Sequence, residues 1–222
     1  MSARATVVVP TYNEAANLPE LARRIRASMA DVAIVVVDDG SPDGTAARAR
    51  ELGIRVVERG ERGLATAVLR GLEEALTDVC VVMDGDLSHP PEAIPGLVKA
   101  VEEGAEIAVG SRYAPGGEIE RWPWMRRLTS RAGTLLARPL TRCRDPLAGF
   151  FCLRRGLLRG VALKPRGFKI LLEILARTRA KRIAEIPIRF ENRGSGASKF
   201  GPRERRAYLR QLWELYRDSI AR

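Results

Sequence analysis

Val79-Cys80-Val81-Val82-Met83-Asp84-Gly85-Asp86 reads as a buried strand that ends on two carboxylates. The next residues, Leu87-Ser88-His89-Pro90-Pro91-Glu92, read as a loop turning into a helix. In open α/β sheets the carboxyl ends of the strands are where ligands bind. Paired carboxylates there suit a hard divalent cation that grips a diphosphate. Alone the motif is weak, because Asp-x-Asp arises by chance in roughly one such chain in three.

Working outward, strand and helix alternate. Thr6–Val9, Ala33–Val37, Arg55–Val57, Val79–Met83 and Glu106–Val109 read as strands, nearly continuous in Val and Ile. Asn17–Ala30, Thr45–Leu52, Leu64–Leu76 and Glu92–Val101 read as the helices between them. This pattern predicts an α/β fold with a mostly parallel sheet buried on both faces. After Arg112 the rhythm changes. Tyr113–Glu120 is a Gly-rich loop, and Arg121–Arg144 holds seven Arg and no acid. Phe150–Leu153 and Ile183–Ile188 read as later strands, with a helix over Phe168–Arg179. Glu191–Gly201 reads as a mobile loop, and Arg203–Arg222 as a closing helix.

At 222 residues the chain is one large domain or one domain with an appendage. No stretch is apolar enough to span a bilayer, and Met1-Ser2-Ala3-Arg4 runs straight into a strand without a signal peptide. Cys80, Cys143 and Cys152 lack CxxC spacing and read as buried thiols of a reducing compartment. The net charge of +11 hides a division. Residues 1–120 carry 12 Lys/Arg against 20 Asp/Glu, and residues 121–222 carry 26 against 7. The first half, at −8, can hold a metal and a nucleotide. The second, at +19, is expected to meet an anionic substrate or membrane surface rather than nucleic acid.

Two further turns share the sheet edge. In Val7-Val8-Val9-Pro10-Thr11-Tyr12-Asn13-Glu14, Tyr12 suits base stacking and Glu14 suits ribose hydroxyls; an ordinary turn into a capped helix reads equally well. Val35-Val36-Val37-Asp38-Asp39-Gly40-Ser41 repeats the arrangement, and a plain turn accounts for it too. No GxGxxG follows the first strand, which counts against a dinucleotide cofactor.

The order PTYNE, VVDDGSPDGT, GLATAVLRG, MDGDLSHPPE and VGSRY resembles the inverting family 2 glycosyltransferases of GT-A fold. The blocks RWPWMRRLTSRAGTLLARPLT, RDPLAGFFCLRR, GFKILLEIL and ENRGSGASKF resemble that family's polyprenyl-phosphate (dolichyl-type) mannosyltransferases. The resemblance implies transfer of mannose from GDP-mannose to a polyprenyl or dolichyl phosphate, with Mg²⁺ or Mn²⁺ as cofactor. A UDP-glucose donor is the nearest alternative. A non-catalytic basic membrane- or nucleic-acid-binding module is another. A sugar nucleotidyltransferase is disfavoured by the missing N-terminal Gly-rich signature.

By the same resemblance Pro10, Tyr12, Glu14 and Asp39 hold the guanosine. Asp84, Gly85, Asp86 and Lys169 border the donor diphosphate, and Asp84, Asp86 and Ser88 hold the metal, Ser88 standing where some relatives have Gln. Arg112, Arg126, Arg193 and Lys199 receive the acceptor phosphate, and Asp86, Arg112 and Arg126 bear most directly on transfer. His89 reads as a packed histidine of the helix entry. The implied division is a catalytic domain over 1–202 and a C-terminal amphipathic helix over 203–222. The catalytic domain comprises a nucleotide and metal half (1–112) and an acceptor half (113–202).

Membrane contact is expected from the helix beginning near Met125. Met125, Leu128, Ala132, Leu135 and Leu136 share a face, Arg127, Arg131, Arg138 and Arg142 flank it, and Trp122 and Trp124 precede it. Interfacial structure is expected over 121–143. In the last helix Tyr208, Leu209, Leu212, Trp213, Leu215, Tyr216 and Ile220 line one face, which either lies on the bilayer or docks on the core. Many relatives add transmembrane helices or an anchoring subunit. The expectation here is a peripheral enzyme on the cytosolic face of a membrane, with a separate anchoring subunit left open.

Overall fold

Seven strands form one sheet in the order β3-β2-β1-β4-β7-β5-β8 in the computed structural model, which describes residues 3–120, 122–164, 169–191 and 202–220. The strands are β1 (Ala5–Thr11), β2 (Val32–Asp38), β3 (Arg55–Glu58), β4 (Val79–Val82), β5 (Ile107–Ser111), β7 (Phe151–Arg154) and β8 (Ile183–Pro187). Helices α1 (Leu18–Ser28), α2 (Thr45–Glu51), α3 (Leu64–Glu73) and α4 (Ile94–Glu102) connect the first five. A short pair, β6 (Glu118–Ile119) and β9 (Arg189–Phe190), lies apart from the main sheet. Helices α5 (Trp124–Ala137), α6 (Ile170–Thr178) and α7 (Pro202–Ile220) belong to the second half.

Both faces of the sheet's centre are covered, which is why β1, β4 and the middle of β2 are nearly all apolar. In β1, Val7 and Val9 pack with Ile25 of α1 and Leu97 of α4. Val8 points the other way, with Val68 and Leu72 of α3 and Leu171 and Ile174 of α6. Burying each such side chain contributes about 1.5–3 kcal/mol. Gly71 lets α3 approach closely: a Cβ there would lie 2.2 Å from Val8 Cγ1. All three cysteines are buried, and burial pushes the Cys80 thiol up to about 12.

The sheet is mostly parallel, as the sequence predicts, with one reversed strand. β7 runs antiparallel to both neighbours, Val81 facing Cys152 and Ala108 facing Cys152 from the other side. Its Phe151, Cys152 and Leu153 are fully buried, so the run is apolar throughout and carries no alternation that would reveal its direction. The reversal brings the start of β7, rather than its end, to the carboxyl ends of β4 and β5.

α7 docks on the core. Tyr208, Leu212 and Leu215 bury against Ala137, Leu147 and Leu172, and the Tyr208 hydroxyl donates to the Gly133 carbonyl at 2.7 Å. Leu209, Trp213 and Ile220 remain exposed. α5 is the reverse: Trp124, Met125, Leu128, Leu135 and Leu136 face outward, and only Thr134 and Ala137 are buried. Trp122 corrects the sequence reading. It is buried beside Phe190 and Arg112 and so presents no anchor at a surface.

Candidate active site

Because β2, β1 and β4 are neighbours, the three sequence turns meet at one edge of the sheet. Asp38 is spent on its own turn: Oδ1 accepts from the Thr11 hydroxyl at 2.9 Å and Oδ2 from the Ser41 N–H at 2.8 Å. Asp39 is buried and holds the loop before α3, pairing with Arg59 at 3.0 Å and accepting the Gly63 N–H at 2.8 Å. Pro10 is buried within β1, opposite Val37. The Arg62 guanidinium lies 4.0 Å from the Tyr12 ring centroid and donates to its hydroxyl. Glu14 accepts from Asn17 Nδ2 at 2.7 Å. Arg59 and Arg62 were missed; the only signal is the ERGERG run ahead of α3.

Beyond β4 the chain turns sharply through Leu87, in the left-handed region at φ 62°. The turn puts the Ser88 N–H 3.1 Å and the Ser88 hydroxyl 2.5 Å from Asp86 Oδ1. Asp86 and Ser88 are buried, whereas Asp84 is partly open. His89 is packed as expected. Its ring stacks on Phe150 at 5.3 Å and meets Phe190 edge-on. Burial lowers its pKa and keeps it neutral, which suits Nδ1 for accepting the Asp84 N–H at 3.2 Å. Gly149, just before β7, comes so close that a Cβ would lie 3.1 Å from Asp84 Oδ2. At Gly85 a Cβ would meet Glu14 Cγ and Thr11 Cγ2, both at 3.3 Å.

The cations come from the second half and from the end of β5. Arg112 makes a bidentate pair with the fully buried Asp145, at 2.8 and 2.7 Å, and its backbone N–H joins the same carboxylate at 3.0 Å. Burial opposes the Arg112 charge, and Asp145 more than offsets this, so its pKa is held above the ordinary value. Trp122, Tyr113 and Phe190 each lie 5.5 Å from the Arg112 guanidinium. Arg126 sits 4.0 Å over the Trp122 ring. Lys169 donates to the Leu147 carbonyl at 2.9 Å, and burial, with Arg112 adding to it, lowers its pKa to about 8. Asp84 acts electrostatically on both Arg112 and Lys169, so carboxylates and cations form one coupled cluster. Asp145 and Gly149 escaped the sequence reading. Their signal is that Asp145 is the first acid after the acid-free Arg run. Arg193 and Lys199 lie outside the described residues, as does nearly all of 191–201, where the sequence predicts a loop.

The donor set fits a divalent cation that shares its shell with a substrate. Asp84 and Asp86 supply two hard oxygens, and among the described residues no cluster of three or more His, Cys, Asp or Glu adds to them. A cation held there would draw the rest of its oxygen ligands from substrate and water. The Ser88 hydroxyl is already directed at Asp86, so its evident part is to orient that carboxylate.

The fold matches glucosyl-3-phosphoglycerate synthase of Mycobacterium tuberculosis with a TM-score of 0.71 at 26% identity, covering 97% of this chain and 80% of that one. The sheet, with its carboxylate-bearing edge, is therefore that of a GT-A glycosyltransferase. The Glycosyl transferase family 2 model matches residues 6–161, and the chain belongs to that family. It is 45% identical to a dolichol-phosphate mannosyltransferase of Pyrococcus furiosus over 96% of its own length. It spans 63% of that relative's length. A dolichol-phosphate mannosyltransferase of Saccharomyces cerevisiae is 39% identical, with 97% of this chain and 88% of the relative covered. A polyprenol monophosphomannose synthase of Mycolicibacterium smegmatis is also 39% identical, over 88% and 80%.

Proposed function

We propose that this glycosyltransferase moves mannose from GDP-mannose to the phosphate of a polyprenyl phosphate, with inversion, at a membrane surface. The observation that carries the reading is the juxtaposition of Asp84 and Asp86 with the Arg112–Asp145 pair, Arg126 and Lys169 at one sheet edge. The names of the relatives support mannose and a polyprenyl phosphate. In this reading Asp84 and Asp86 hold Mg²⁺ or Mn²⁺; structural neighbours were crystallised with Mn²⁺ and a uridine nucleotide. Bound there, the cation would neutralise charge on the leaving diphosphate.

The chain's own residues do the rest by position and charge. Tyr12, Glu14 and Asp39 border the nucleoside. Ser88 fixes Asp86, and Gly149 leaves room at Asp84. Arg112, aligned by Asp145, offers a rigid guanidinium toward anionic oxygens, with Arg126 and Lys169 beside it. Arg193 and Lys199 are proposed to join them. A phosphate monoester has a second pKa near about 6 and is already largely anionic at neutral pH, so no side chain need remove a proton from the nucleophile. Holding two anions in line is then the main task. The outward apolar face of α5 supports approach to the lipid from the membrane surface.

UDP-glucose is the second reading, favoured by neighbours solved with UDP-glucose. A donor panel with a short polyprenyl phosphate, with and without EDTA, separates the two. Transfer from GDP-mannose that EDTA abolishes is the expected result. Transfer from UDP-glucose alone would replace the donor, and transfer from no nucleotide sugar would end the reading.

A further inference from the structure

At the far end of α6 from Lys169 lies a cavity of about 550 Å³ that the proposed reaction leaves unused. It opens between the Arg138–Arg142 segment after α5, the last turn of α6 and the last turns of α7. Nine residues of α helix separate it from Lys169, a rise of about 13 Å. A cavity of this size holds a small molecule or a headgroup.

Its lining is strongly cationic. Arg138, Arg142, Arg177, Arg179 and Lys181 face it, with Asp218 as its single acid. Asp218 is already answered, by Arg177 at 3.1 Å and Lys164 at 3.4 Å, and Arg177 also pairs with the buried Glu173. Glu106 accepts the backbone N–H of Lys181 at 2.8 Å and takes up part of that lysine's charge. Arg138, Arg142 and Arg179 enter no ion pair among the described residues. The cavity therefore carries excess positive charge.

The same turns are apolar on their outer side. Leu135 and Leu136 are exposed just before Arg138, and Ile220 is exposed just after the lining residue Ser219. The Tyr216 hydroxyl donates to the Leu136 carbonyl and ties the two apolar ends together. Charge within and apolar side chains at the border match a phosphate that arrives attached to hydrocarbon. We propose that this cavity is a second anion site, separate from the sheet edge, that takes the headgroup phosphate of an anionic phospholipid. The proposal deepens the membrane-surface part of the reading above.

The test compares the parent with Arg138→Gln/Arg142→Gln. Lys99→Gln/Arg159→Gln, exposed positions elsewhere, serves as a control of equal charge change. Binding is measured by co-sedimentation with vesicles of phosphatidylcholine alone and of phosphatidylcholine with phosphatidylglycerol. The cavity pair is expected to lose on the order of 30-fold in partitioning to the anionic vesicles, at about a fivefold loss per cation. The control pair should stay within about twofold of the parent. Sugar transfer to a short polyprenyl phosphate in detergent should be the same in all three.

The proposal falls if the parent ignores phosphatidylglycerol, if the cavity pair binds like the parent, or if the control pair loses as much. Thermal unfolding with inorganic phosphate separates the sources of the anion. No stabilisation is expected. A stabilisation that the cavity pair loses would assign the site to a free anion and overturn the lipid. A parent that transfers no sugar yet shows the cavity-specific loss defeats the functional reading and leaves this site standing.

Discussion

Asp86 is fixed before any ligand arrives, because Ser88 directs both its N–H and its hydroxyl at Oδ1. In the proposed reaction Asp86→Asn keeps the shape and removes the charge that holds the cation. Several kcal/mol of charge stabilisation are then at stake, so the rate should fall on the order of 10³-fold. Ser88→Ala loosens only the orientation, and a loss of about 10–100-fold is expected. Initial rates over a range of Mn²⁺ check both, and equal losses would reject Ser88 as a positioning residue. Lys169 gives a pH signature. With its pKa lowered to about 8, its charged form is complete below that pH and is lost as pH rises through it. kcat/KM for the polyprenyl phosphate should therefore decline above about pH 8, and Lys169→Arg should move the decline to higher pH. A decline that Lys169→Arg leaves in place would point to another group. Asp84, Gly85 and Asp86 were legible because their meaning is local: a strand, then two carboxylates. Asp145 and Gly149 were not, because their partners Arg112 and Asp84 are more than 30 residues away and meet them only through the folded sheet.

Element directions explain why. The run Phe150–Leu153 announced a strand and concealed its sense, since a strand buried on both faces shows no alternation. Its antiparallel insertion between β4 and β5 is what carries the Asp145–Gly149 segment to the carboxylate-bearing edge. Helical period likewise identified an apolar face on α5 and on α7, but period says nothing of what covers a face. The structure divides α7: Leu212 is 4% exposed and Trp213 61%. Leu212→Ala should cost about 2–4 kcal/mol in urea unfolding, the range for a buried leucine. Trp213→Ala should stay within about 0.5 kcal/mol. Equal effects would mean that α7 does not dock by this face.

At the scale of the whole molecule, the acidic and basic halves are joined where opposite charges meet. Arg112 belongs to the first half, Asp145 to the second, and their bidentate pair is almost fully buried. Asp145→Asn leaves a buried guanidinium without its counter-charge, and about 3–5 kcal/mol of stability should go with it. A loss below about 1 kcal/mol in urea unfolding would show the pair to be dispensable to the fold. The excess of +19 on residues 121–222 lies instead mostly on exposed arginines, where solvent ions reach it. Salt therefore separates the two kinds of electrostatics. Between about 0.1 M and about 1 M salt the screening length drops from about 10 Å to about 3 Å, which weakens exposed attractions and leaves buried pairs largely intact. Binding to anionic vesicles should fall steeply across that range, while urea stability changes little. Vesicle binding that survives 1 M salt would mean that the exposed leucines and tryptophans of α5 and α7 hold the protein on the bilayer without help from charge. The basic half would then serve the substrate phosphates alone.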